Sequence, residues 1–507
     1  MEKIVNWVKN NKIEFAIIVA ILLLASFLRL YRIEDYMTFL GDEGRDAIVV
    51  RRLLIYFDPI LIGPGTSIGN MYLGPLYYYL IAPSLFLASY SPVGPSIFIA
   101  LIGIVTVFLV WKMGREWFGK TAGAVAAFFY AISPTVIVYS RSSWNPNIMP
   151  FFALLSIYSV WKIWKEEKYK WFIVLGVSFA FCLQSHYLAL LLLPTFGIFL
   201  FIKYLKLKKE KLQKPFMKNS IIGLIIFLFL MSPLVIFDAR HGWRNFAAIK
   251  KFFTVRQETV SIRPWNAIPK TFPIFEKVNS RLIGGRNENS GLYLTIVFFI
   301  FAIWLVKNKK NMNIKSRSAY LLIFTWLLFA LLGLGLYKQE IYDHYYGFFF
   351  PVPFLLLGVL IQDKFKIAKR TGRILIAAGL VYLVFLNIKE IPLKYSPNQQ
   401  LRRASEVAQK IAEESNDKEF NLAVIAERNY EAGYLYFLEM WNKKIVKIDA
   451  QKPDTIVDQL FVVCEMEKAK CDPTHNPKAE VANFGWSKIE KEYLVFGTTL
   501  YKLIHTK

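Results

Sequence analysis

Long runs of apolar residues, separated by short turns rich in lysine and arginine, recur along most of this chain. A run of about 18 such residues is long enough to cross the hydrocarbon layer of a bilayer as a helix. Of the 507 residues, 55% are hydrophobic and 16% are aromatic, and the mean hydropathy is +0.36. This balance lies outside that of soluble globular proteins. The chain is therefore predicted to be a polytopic α-helical membrane protein.

The net charge of +25 comes mainly from basic residues that lie between the apolar runs. Membrane proteins mark their cytoplasmic loops in this way, so anionic and phosphorylated lipids are favoured as partners over nucleic acid. Lys3, Lys9 and Lys12 precede the first apolar run, residues 15–30, which lacks a small-residue cleavage site. We therefore expect an uncleaved first span.

The orientation of the spans depends on one short segment, Leu76–Leu87, which contains Pro83. If it does not cross the membrane, the basic loops all lie on the side of the N-terminus, and if it crosses they all lie on the opposite side. The positive-inside rule favours a non-crossing helix, a cytoplasmic N-terminus and a plasma-membrane protein of about eleven spans. The predicted spans are 15–30, 95–111, 121–138, 148–161, 171–182, 187–202, 219–237, 291–306, 319–336, 348–361 and 373–388.

Two domains are predicted from the change in hydrophobicity near residue 389. Residues 1–388 form the membrane domain, with outer loops at 31–94 and 238–290, and residues 389–507 form a small extracytoplasmic α/β domain. Within the tail, the periodicity predicts helices at 401–414 and 430–441 and strands at 420–425, 460–464 and 493–503.

The three cysteines give a conditional prediction. Cys182 lies in an apolar segment and is expected to be a packed thiol. Cys464 and Cys471 lie close together in the tail, where a disulfide is expected if the tail is exported and two free thiols if it is cytoplasmic.

The densest charged cluster is Gly41-Asp42-Glu43-Gly44-Arg45-Asp46-Ala47, a few residues after the first span. A carboxylate placed near the hydrocarbon layer costs free energy, so such residues are usually functional. Asp42 and Glu43 offer acceptors for a proton or a metal, and the flanking glycines allow a sharp turn. The alternative is a solvated loop that caps a helix over residues 47–57.

An ordered set of motifs adds to this cluster. Gly74-Pro75-Leu76-Tyr77-Tyr78-Tyr79 is followed by Gly114-Arg115-Glu116-Trp117-Phe118-Gly119, and then by Ser133-Pro134 and Tyr139-Ser140-Arg141. With Asp42-Glu43, this set resembles the GT-C glycosyltransferases, and within them the protein O-mannosyltransferases and the transferases of aminoarabinose to lipid A. The resemblance covers about residues 10–250 well and the later spans in outline.

The resemblance implies an enzyme that moves a sugar from a polyprenyl-phosphate donor to an extracytoplasmic protein, lipid or glycan. In that family the acid matching Asp42 is the base. One carboxylate that deprotonates an acceptor hydroxyl during attack predicts inversion at the anomeric carbon. Glu43 would orient Asp42 or contact the acceptor. The departing phosphate needs cationic or hydrogen-bonding partners because charge develops on its oxygen.

Several outer-loop residues are candidates for contacts with the donor or acceptor. Their structural alternative is an interfacial anchor or a member of an aromatic belt. Family members often carry an Asp where this chain has Asn145, so a second acidic residue is not expected there. The candidates for the lipid phosphate are Arg141, Arg240, His344 and Tyr345, and those for other contacts are Arg45, Asp46, His186 and His241.

No cofactor is indicated, because the five histidines have no zinc-type spacing. Two other functions stay open. A ligase that uses a lipid-linked oligosaccharide would need a large basic outer loop, for which residues 238–290 leave room. A lipid or solute transporter would place ionisable residues within spans and show repeated halves, which this sequence does not.

Overall fold

We describe the protein from a computed structural model, over residues 2–66, 71–254, 259–367, 369–428 and 430–506. Most of the described chain is helical, because a helix satisfies its backbone hydrogen bonds internally in lipid. The first helices are α1 (Glu2–Asn10), α2 (Lys12–Leu30), α3 (Ile33–Tyr36), α4 (Gly41–Tyr56), α5 (Leu76–Leu87), α6 (Val93–Phe118), α7 (Lys120–Ile132), α8 (Pro134–Tyr139), α9 (Met149–Glu166), α10 (Trp171–Ser185) and α11 (Leu193–Lys209).

The second part of the membrane domain and the tail contain the remaining helices. They are α12 (Lys214–Arg240), α13 (Arg244–Thr254), α14 (Ile268–Leu282), α15 (Glu288–Lys307), α16 (Ile314–Gly335), α17 (Pro351–Ile367), α18 (Arg370–Lys389), α19 (Gln400–Glu414), α20 (Glu431–Met440) and α21 (Ala479–Phe484). Short 3-10 helices lie at Asn145–Ile148, Tyr187–Leu192, Pro264–Ala267, Lys309–Asn311, Asp343–Phe349, Pro392–Lys394, Pro453–Thr455 and Lys468–Lys470.

Seven helices of the described chain are long and apolar enough to cross a membrane, or eight if the bent pair Asp343–Phe349 and Pro351–Asp363 is one span. The polytopic helical fold predicted from the sequence is therefore confirmed, whereas the count of about eleven spans stays a prediction. Three shorter apolar helices, α5, α7 and α10, lie among these spans.

The basic loops meet one another at one end of the helices. Glu14 pairs with Arg115, and buried Lys203 pairs with Glu167 at 2.5 Å. The Ser316 hydroxyl donates to the Trp117 carbonyl at 3.2 Å. These contacts join loops from distant parts of the sequence, so the loops share one face of the molecule. Parity of the spans places the basic loops on one face whether or not segment 76–87 crosses.

The tail contains a four-stranded sheet of β1 (Asn421–Ile425), β2 (Gln459–Cys464), β3 (Ser487–Val495) and β4 (Thr498–His505), in the spatial order β1-β2-β4-β3. Strands β1 and β2 pair in parallel, with Ala423 opposite Val462, and the other two pairings are antiparallel. The small α/β fold predicted for the tail is therefore present, with α19 and α20 within one residue of their predicted starts.

One predicted strand was wrong. Residues 493–503 do not form a single strand, because the chain reverses at Phe496 and Gly497 between β3 and β4. Both turn residues have positive φ, 47° and 77°. A tight two-residue hairpin needs this backbone geometry at both central positions. The aromatic residue at 496 concealed the turn in the sequence.

The hydrophobic core of the C-terminal domain also contains side chains from before residue 389. Met37, Phe39, Ala47 and Ile48, all buried and all from the first outer loop, pack in one apolar cluster with side chains of α19, α20 and the sheet. The first outer loop is thus folded into the hydrophobic core of the C-terminal domain.

Candidate active site

Helix α4 begins within the charged cluster because Glu43 caps it. The Glu43 Oε2 atom accepts a hydrogen bond from the Leu40 backbone N–H at 3.1 Å, and the Gly44 N–H donates to the Leu40 carbonyl at 2.9 Å. Asp42 and Glu43 both lie in the first turn, where the helix dipole favours negative charge. The cluster therefore forms the first turns of α4, which begins six residues earlier than the predicted helix at 47–57, and it is not a solvated loop ahead of that helix; it also holds a half-exposed carboxylate.

Asp42 is the carboxylate that faces solvent. Half of its side chain is exposed, and its Oδ1 accepts a hydrogen bond from Arg45 Nη1 at 2.7 Å. The same guanidinium donates from Nη2 and Nε to Asp46 Oδ1, at 2.7 and 3.0 Å. Arg45 therefore holds Asp42 and Asp46 together, with one carboxylate accessible and the other 1% exposed.

The two buried carboxyl groups differ from Asp42 in their environment. Burial raises the pKa of Glu43 to about 7. Burial also raises the pKa of Asp46 to about 6, although Arg45 opposes this shift. Tyr78 donates to Asp46 Oδ1 at 3.2 Å, and Asp46 Oδ2 has no hydrogen-bond partner among the described residues. Loss of water around a carboxylate disfavours its charged form, which explains both shifts.

Helix α5 and the first outer loop join this cluster to the loop at residues 139–147. The hydroxyls of Tyr77 and Ser143 lie 2.7 Å apart, and the Thr38 N–H donates to Ser142 Oγ at 2.9 Å. The Asn145 amide donates to the Ser185 carbonyl at 2.8 Å. These contacts join residues 38 and 77 of the first outer loop to the loop at 139–147, and that loop to the end of α10.

Arg141 is buried at the end of the first span. Only 2% of the residue is exposed, and its guanidinium donates to the carbonyls of Leu28 and Tyr31 at 2.7 and 2.8 Å. Its Cζ atom lies 5.2 Å from the ring centre of Tyr36. Burial lowers the pKa of Arg141 to about 10, so the residue is charged at neutral pH. These contacts, made by the two Nη atoms, fix the C-terminus of α2, and the buried Nε of Arg141 has no hydrogen-bond partner among the described residues.

His186, His344 and Tyr345 form one aromatic cluster beside the same loop. The ring of His344 lies 4.6 Å from that of Trp144 and 6.1 Å from that of His186, and His186 lies 5.1 Å from Tyr345. Residues that are more than 150 positions apart in the sequence are thus in contact. The sequence proposed His344 and Tyr345 together and His186 separately, and the structure places all three in contact.

A second cationic group lies next to His344 and was not singled out as a site in the sequence. Arg281 donates from Nε to both carboxylate oxygens of Asp343, at 2.9 and 2.8 Å. Arg286 lies close enough to Arg281 that burial and the neighbouring positive charge lower its pKa. The Nε of Arg286 is buried and has no hydrogen-bond partner within the described chain. Asp343 pairs directly with Arg281, whereas Arg286 lies in the electrostatic field of both Asp343 and Glu390.

Asp238, Arg240 and His241 follow the seventh predicted span. Asp238 and His241 make hydrogen bonds to residues close to them in the sequence. The Asp238 carboxylate accepts from the N–H groups of Asn245 and Phe246, at 2.7 and 2.8 Å, and thereby caps α13. His241 Nδ1 lies 2.7 Å from the Phe237 carbonyl, and its ring stacks on Phe237 at 4.0 Å. Arg240 is exposed. This group contacts the rest of the outer surface through Asn245, whose side-chain oxygen accepts from the Tyr72 N–H.

The tail contains one disulfide, between Cys464 and Cys471, with Cα atoms 6.2 Å apart. Cys182 is a buried free thiol, as predicted. Among the residues that the structure describes, no three or more His, Cys, Asp or Glu side chains form a metal-ligand set.

Part of the sequence matches known proteins. Residues 73–237 match the family described as dolichyl-phosphate-mannose-protein mannosyltransferase. Two putative mannosyltransferases of Bacillus subtilis, YkcB and YycA, are 31% identical over 107 residues and 29% identical over 116 residues. These matches cover 20% and 22% of this chain but only 14% and 16% of the relatives, so the chain spans a small part of their length.

The fold matches over nearly the whole chain. ArnT from Cupriavidus metallidurans, solved with bound undecaprenyl phosphate, has a TM-score of 0.60 at 11% identity, covering 96% of this chain and 97% of that one. The oligosaccharyltransferase AglB from Archaeoglobus fulgidus, solved with an inhibitory peptide and a dolichol-phosphate, has a TM-score of 0.56 at 12% identity, covering 90% and 70%. The resemblance to GT-C glycosyltransferases that the sequence indicated is confirmed.

Proposed function

We propose that this protein is a membrane glycosyltransferase of the GT-C type, which moves a sugar from a polyprenyl-phosphate donor to an acceptor outside the membrane. The observation that carries the proposal is the half-exposed Asp42 carboxylate, held by Arg45 at a helix N-terminus on this fold. Solved structures of similar fold bind undecaprenyl phosphate and a dolichol-phosphate, which supports a lipid-phosphate donor here.

Asp42 acts as the general base in this proposal. It accepts the proton of an acceptor hydroxyl while that oxygen attacks the anomeric carbon. The salt bridge with Arg45 fixes the direction of the carboxylate. No covalent sugar intermediate is needed when the acceptor attacks directly, so the configuration at the anomeric carbon inverts.

Glu43 has a supporting role. It contacts the Leu40 N–H through the helix cap, and so it orients the turn that carries Asp42 rather than touching the substrate. Asp46 anchors Arg45 from the buried side, with Tyr78 as its second partner. Both roles are those of positioning residues.

The leaving phosphate is assigned to the cationic group at Arg281 and Arg286, next to His344 and Tyr345. Charge develops on the phosphate oxygen as the bond to the sugar breaks, and preorganised donors lower the free energy of that state. The buried Nε of Arg286, which has no hydrogen-bond partner among the described residues, supports this assignment. Arg141 positions the end of α2, and exposed Arg240 contributes longer-range attraction for the anionic lipid. His186 and His241 are further candidates for contacts with the donor or acceptor.

In this proposal the site faces the extracytoplasmic side, and the N-terminus is cytoplasmic. The disulfide between Cys464 and Cys471 supports an exported tail, because disulfides persist in oxidising compartments. The clustering of the basic loops at the other end of the helices agrees with the positive-inside rule.

The proposal is tested by supplying the purified protein in proteoliposomes with radiolabelled polyprenyl-phosphate monosaccharides and with a lipid-linked oligosaccharide. An acceptor-containing membrane extract is added. We expect one monosaccharide donor to be consumed, with transfer of its label and inversion at the anomeric carbon. Consumption of the oligosaccharide alone would establish a ligase instead. Movement of lipid across the bilayer without bond cleavage would establish a transporter.

A further inference from the structure

The first outer loop is held by the C-terminal domain through its apolar core. Phe39 is 2% exposed, and its ring lies 5.9 Å from those of both Tyr436 and Phe437 on α20. Met37, Ala47 and Ile48 belong to the same cluster. A side chain in this position keeps its buried area only while the domain stays docked, so the two segments are coupled by the hydrophobic effect.

Polar contacts fix the register of this docking. The Phe39 N–H donates to Gln400 Oε1 at 3.1 Å, and the Gln399 N–H donates to the Asp35 carbonyl at 2.9 Å. Arg52, near the end of α4, donates to both carboxylate oxygens of Glu439, at 2.7 and 3.2 Å. Contacts at Asp35, at Phe39 and at Arg52 therefore attach the first outer loop to the C-terminal domain.

The closest approach is at Gly44, two residues after Asp42. A Cβ atom there would lie 2.4 Å from the carbonyl carbon of Ala432 and 2.5 Å from the N atom of Gly433. Both are backbone atoms, which cannot rotate away as a side chain can. Helices α4 and α20 therefore pack at backbone distance, and any side chain at position 44 must push them apart.

We propose that the C-terminal domain positions the catalytic carboxylate, with α20 acting as a rigid support for the N-terminal turn of α4 at Gly44. The proposal rests on the proposed role of Asp42. The domain contributes no group to the reaction in this account. It fixes the direction of Asp42 toward the acceptor, and an error of about 1 Å in such a group costs about 100-fold in rate.

The first test is Gly44→Val, with Gly197→Val as the matched control. Gly197 also lies inside a helix, and an added Cβ there meets no heavy atom within 4 Å. We expect Gly44→Val to lower kcat about 10- to 100-fold, with the KM for the lipid donor changed by less than about twofold. Backbone amides of residues 41–50 should also exchange hydrogen faster. Gly197→Val should match the native protein in all three measurements.

A second set of variants leaves the glycine in place. Arg52→Glu and Glu439→Arg each put like charges together at the interface. Each single variant is expected to lower the exchange protection of α4 about two- to fivefold, and the double variant should restore it. A double variant no better protected than the singles would overturn the proposal, since the two residues would then not act on each other.

The remaining outcomes separate this inference from the proposed function. Native kcat in Gly44→Val, or a kcat loss in Gly197→Val as well, overturns the positioning role. If the native chain transfers no sugar, or Asp42→Asn keeps full activity, the proposed function fails. Hydrogen exchange then still tests whether α20 supports the N-terminal turn of α4. Faster exchange in Gly44→Val is the expected result, and unchanged exchange would overturn this support.

Discussion

Asp42 and Glu43 are neighbours in the chain, yet they meet opposite environments. The helix turn directs Asp42 outward to solvent and Arg45, and it directs Glu43 back onto the Leu40 N–H in a buried position. Adjacent residues on a helix point about 100° apart, so one turn presents one carboxylate and hides the other. The sequence identified the pair, but only the start of the helix at Gly41 distinguishes their roles.

The buried carboxyl of Glu43 predicts an unusual pH dependence. Its pKa is about 7 in the folded protein and near 4.5 when exposed, so the folded state binds more protons between these values. Its contribution to stability is therefore complete below about pH 4.5 and is lost as the pH rises through about 7. Glu43→Gln should keep the cap, equal the native protein near pH 4.5 and be more stable at pH 8. Thermal unfolding midpoints from pH 4.5 to 8 measure this.

Glu34→Gln is the control for this prediction, because Glu34 lies in the same outer loop and is exposed. Its unfolding midpoint should follow that of the native protein at each pH. A native protein more stable than Glu43→Gln at pH 8 would contradict the assignment of Glu43 as a buried, proton-binding cap.

Some site residues were accessible from the sequence and others were not. Asp42, His186, His344 and Tyr345 stand next to span ends, and that position is readable from hydropathy alone. The pairing of Arg281 with Asp343 joins residues 62 positions apart, and no local pattern signals it. Long-range ion pairs depend on how helices pack, which a single sequence does not specify. Both arginines of the cationic group lie in the predicted outer loop 238–290, but no motif in that loop marked them as a site.

At the scale of elements, two buried arginines close the outer end of the first span. Arg29 donates to the carbonyls of Ala131 and Tyr130, at 3.0 and 3.4 Å, and Arg141 donates to those of Leu28 and Tyr31. The last carbonyls of a helix have no partner within it. Arg141 supplies that partner for α2, and the chain can turn into the first outer loop without losing these hydrogen bonds.

Arg141→Lys separates a positioning role from phosphate binding. A lysine carries all its donors on a single nitrogen, so it cannot bridge the two carbonyls as the two Nη atoms of the planar guanidinium do. We expect the unfolding midpoint to fall by several degrees, while the KM for the lipid donor stays unchanged. Arg281→Lys should instead raise that KM or lower kcat. A raised KM in Arg141→Lys with an unchanged midpoint would place the phosphate at Arg141.

The elements themselves were mostly predictable. Periodicity in the tail predicted α19 and α20, and short apolar runs predicted β1 and β2, which are buried along their whole length. The hairpin of β3 and β4 was missed because Phe496 occupies a positive-φ turn position, which sequence rules assign to glycine or asparagine. The lengths of α5, α7 and α10 fall short of a full span, so counting membrane crossings from hydropathy depends on packing that the sequence does not reveal.

At the scale of the whole molecule, the account requires that the basic loops and the C-terminal domain lie on opposite sides of the membrane. Lys209→Cys reports on a basic loop, and Gln451→Cys reports on the tail. An impermeant maleimide applied to intact cells should label position 451 and reach position 209 only after permeabilisation. The native chain is the control, because Cys182 is buried and the other two cysteines are paired. Labelling of position 209, and not of position 451, in intact cells would show the opposite orientation.

The whole-chain fold was predictable because polytopic membrane proteins have few architectures, and charge parity selects among them. The docking of the tail onto the first outer loop was not. Sequence composition divides the chain near residue 389, whereas the apolar cluster crosses that division and includes Met37 and Phe39. Composition reports where a segment is polar, and it does not report which core a buried side chain joins.

The central claim is that Asp42 carries the chemistry, and sugar transfer by Asp42→Asn tests it most directly. The comparison is Asp58→Asn, the same substitution at an exposed aspartate of the same outer loop. The account predicts that Asp42→Asn loses transfer by at least about 100-fold, as removal of a general base does, while the protein stays folded and still binds donor lipid. Asp58→Asn should transfer sugar at the native rate. A native rate of transfer in Asp42→Asn would contradict the account.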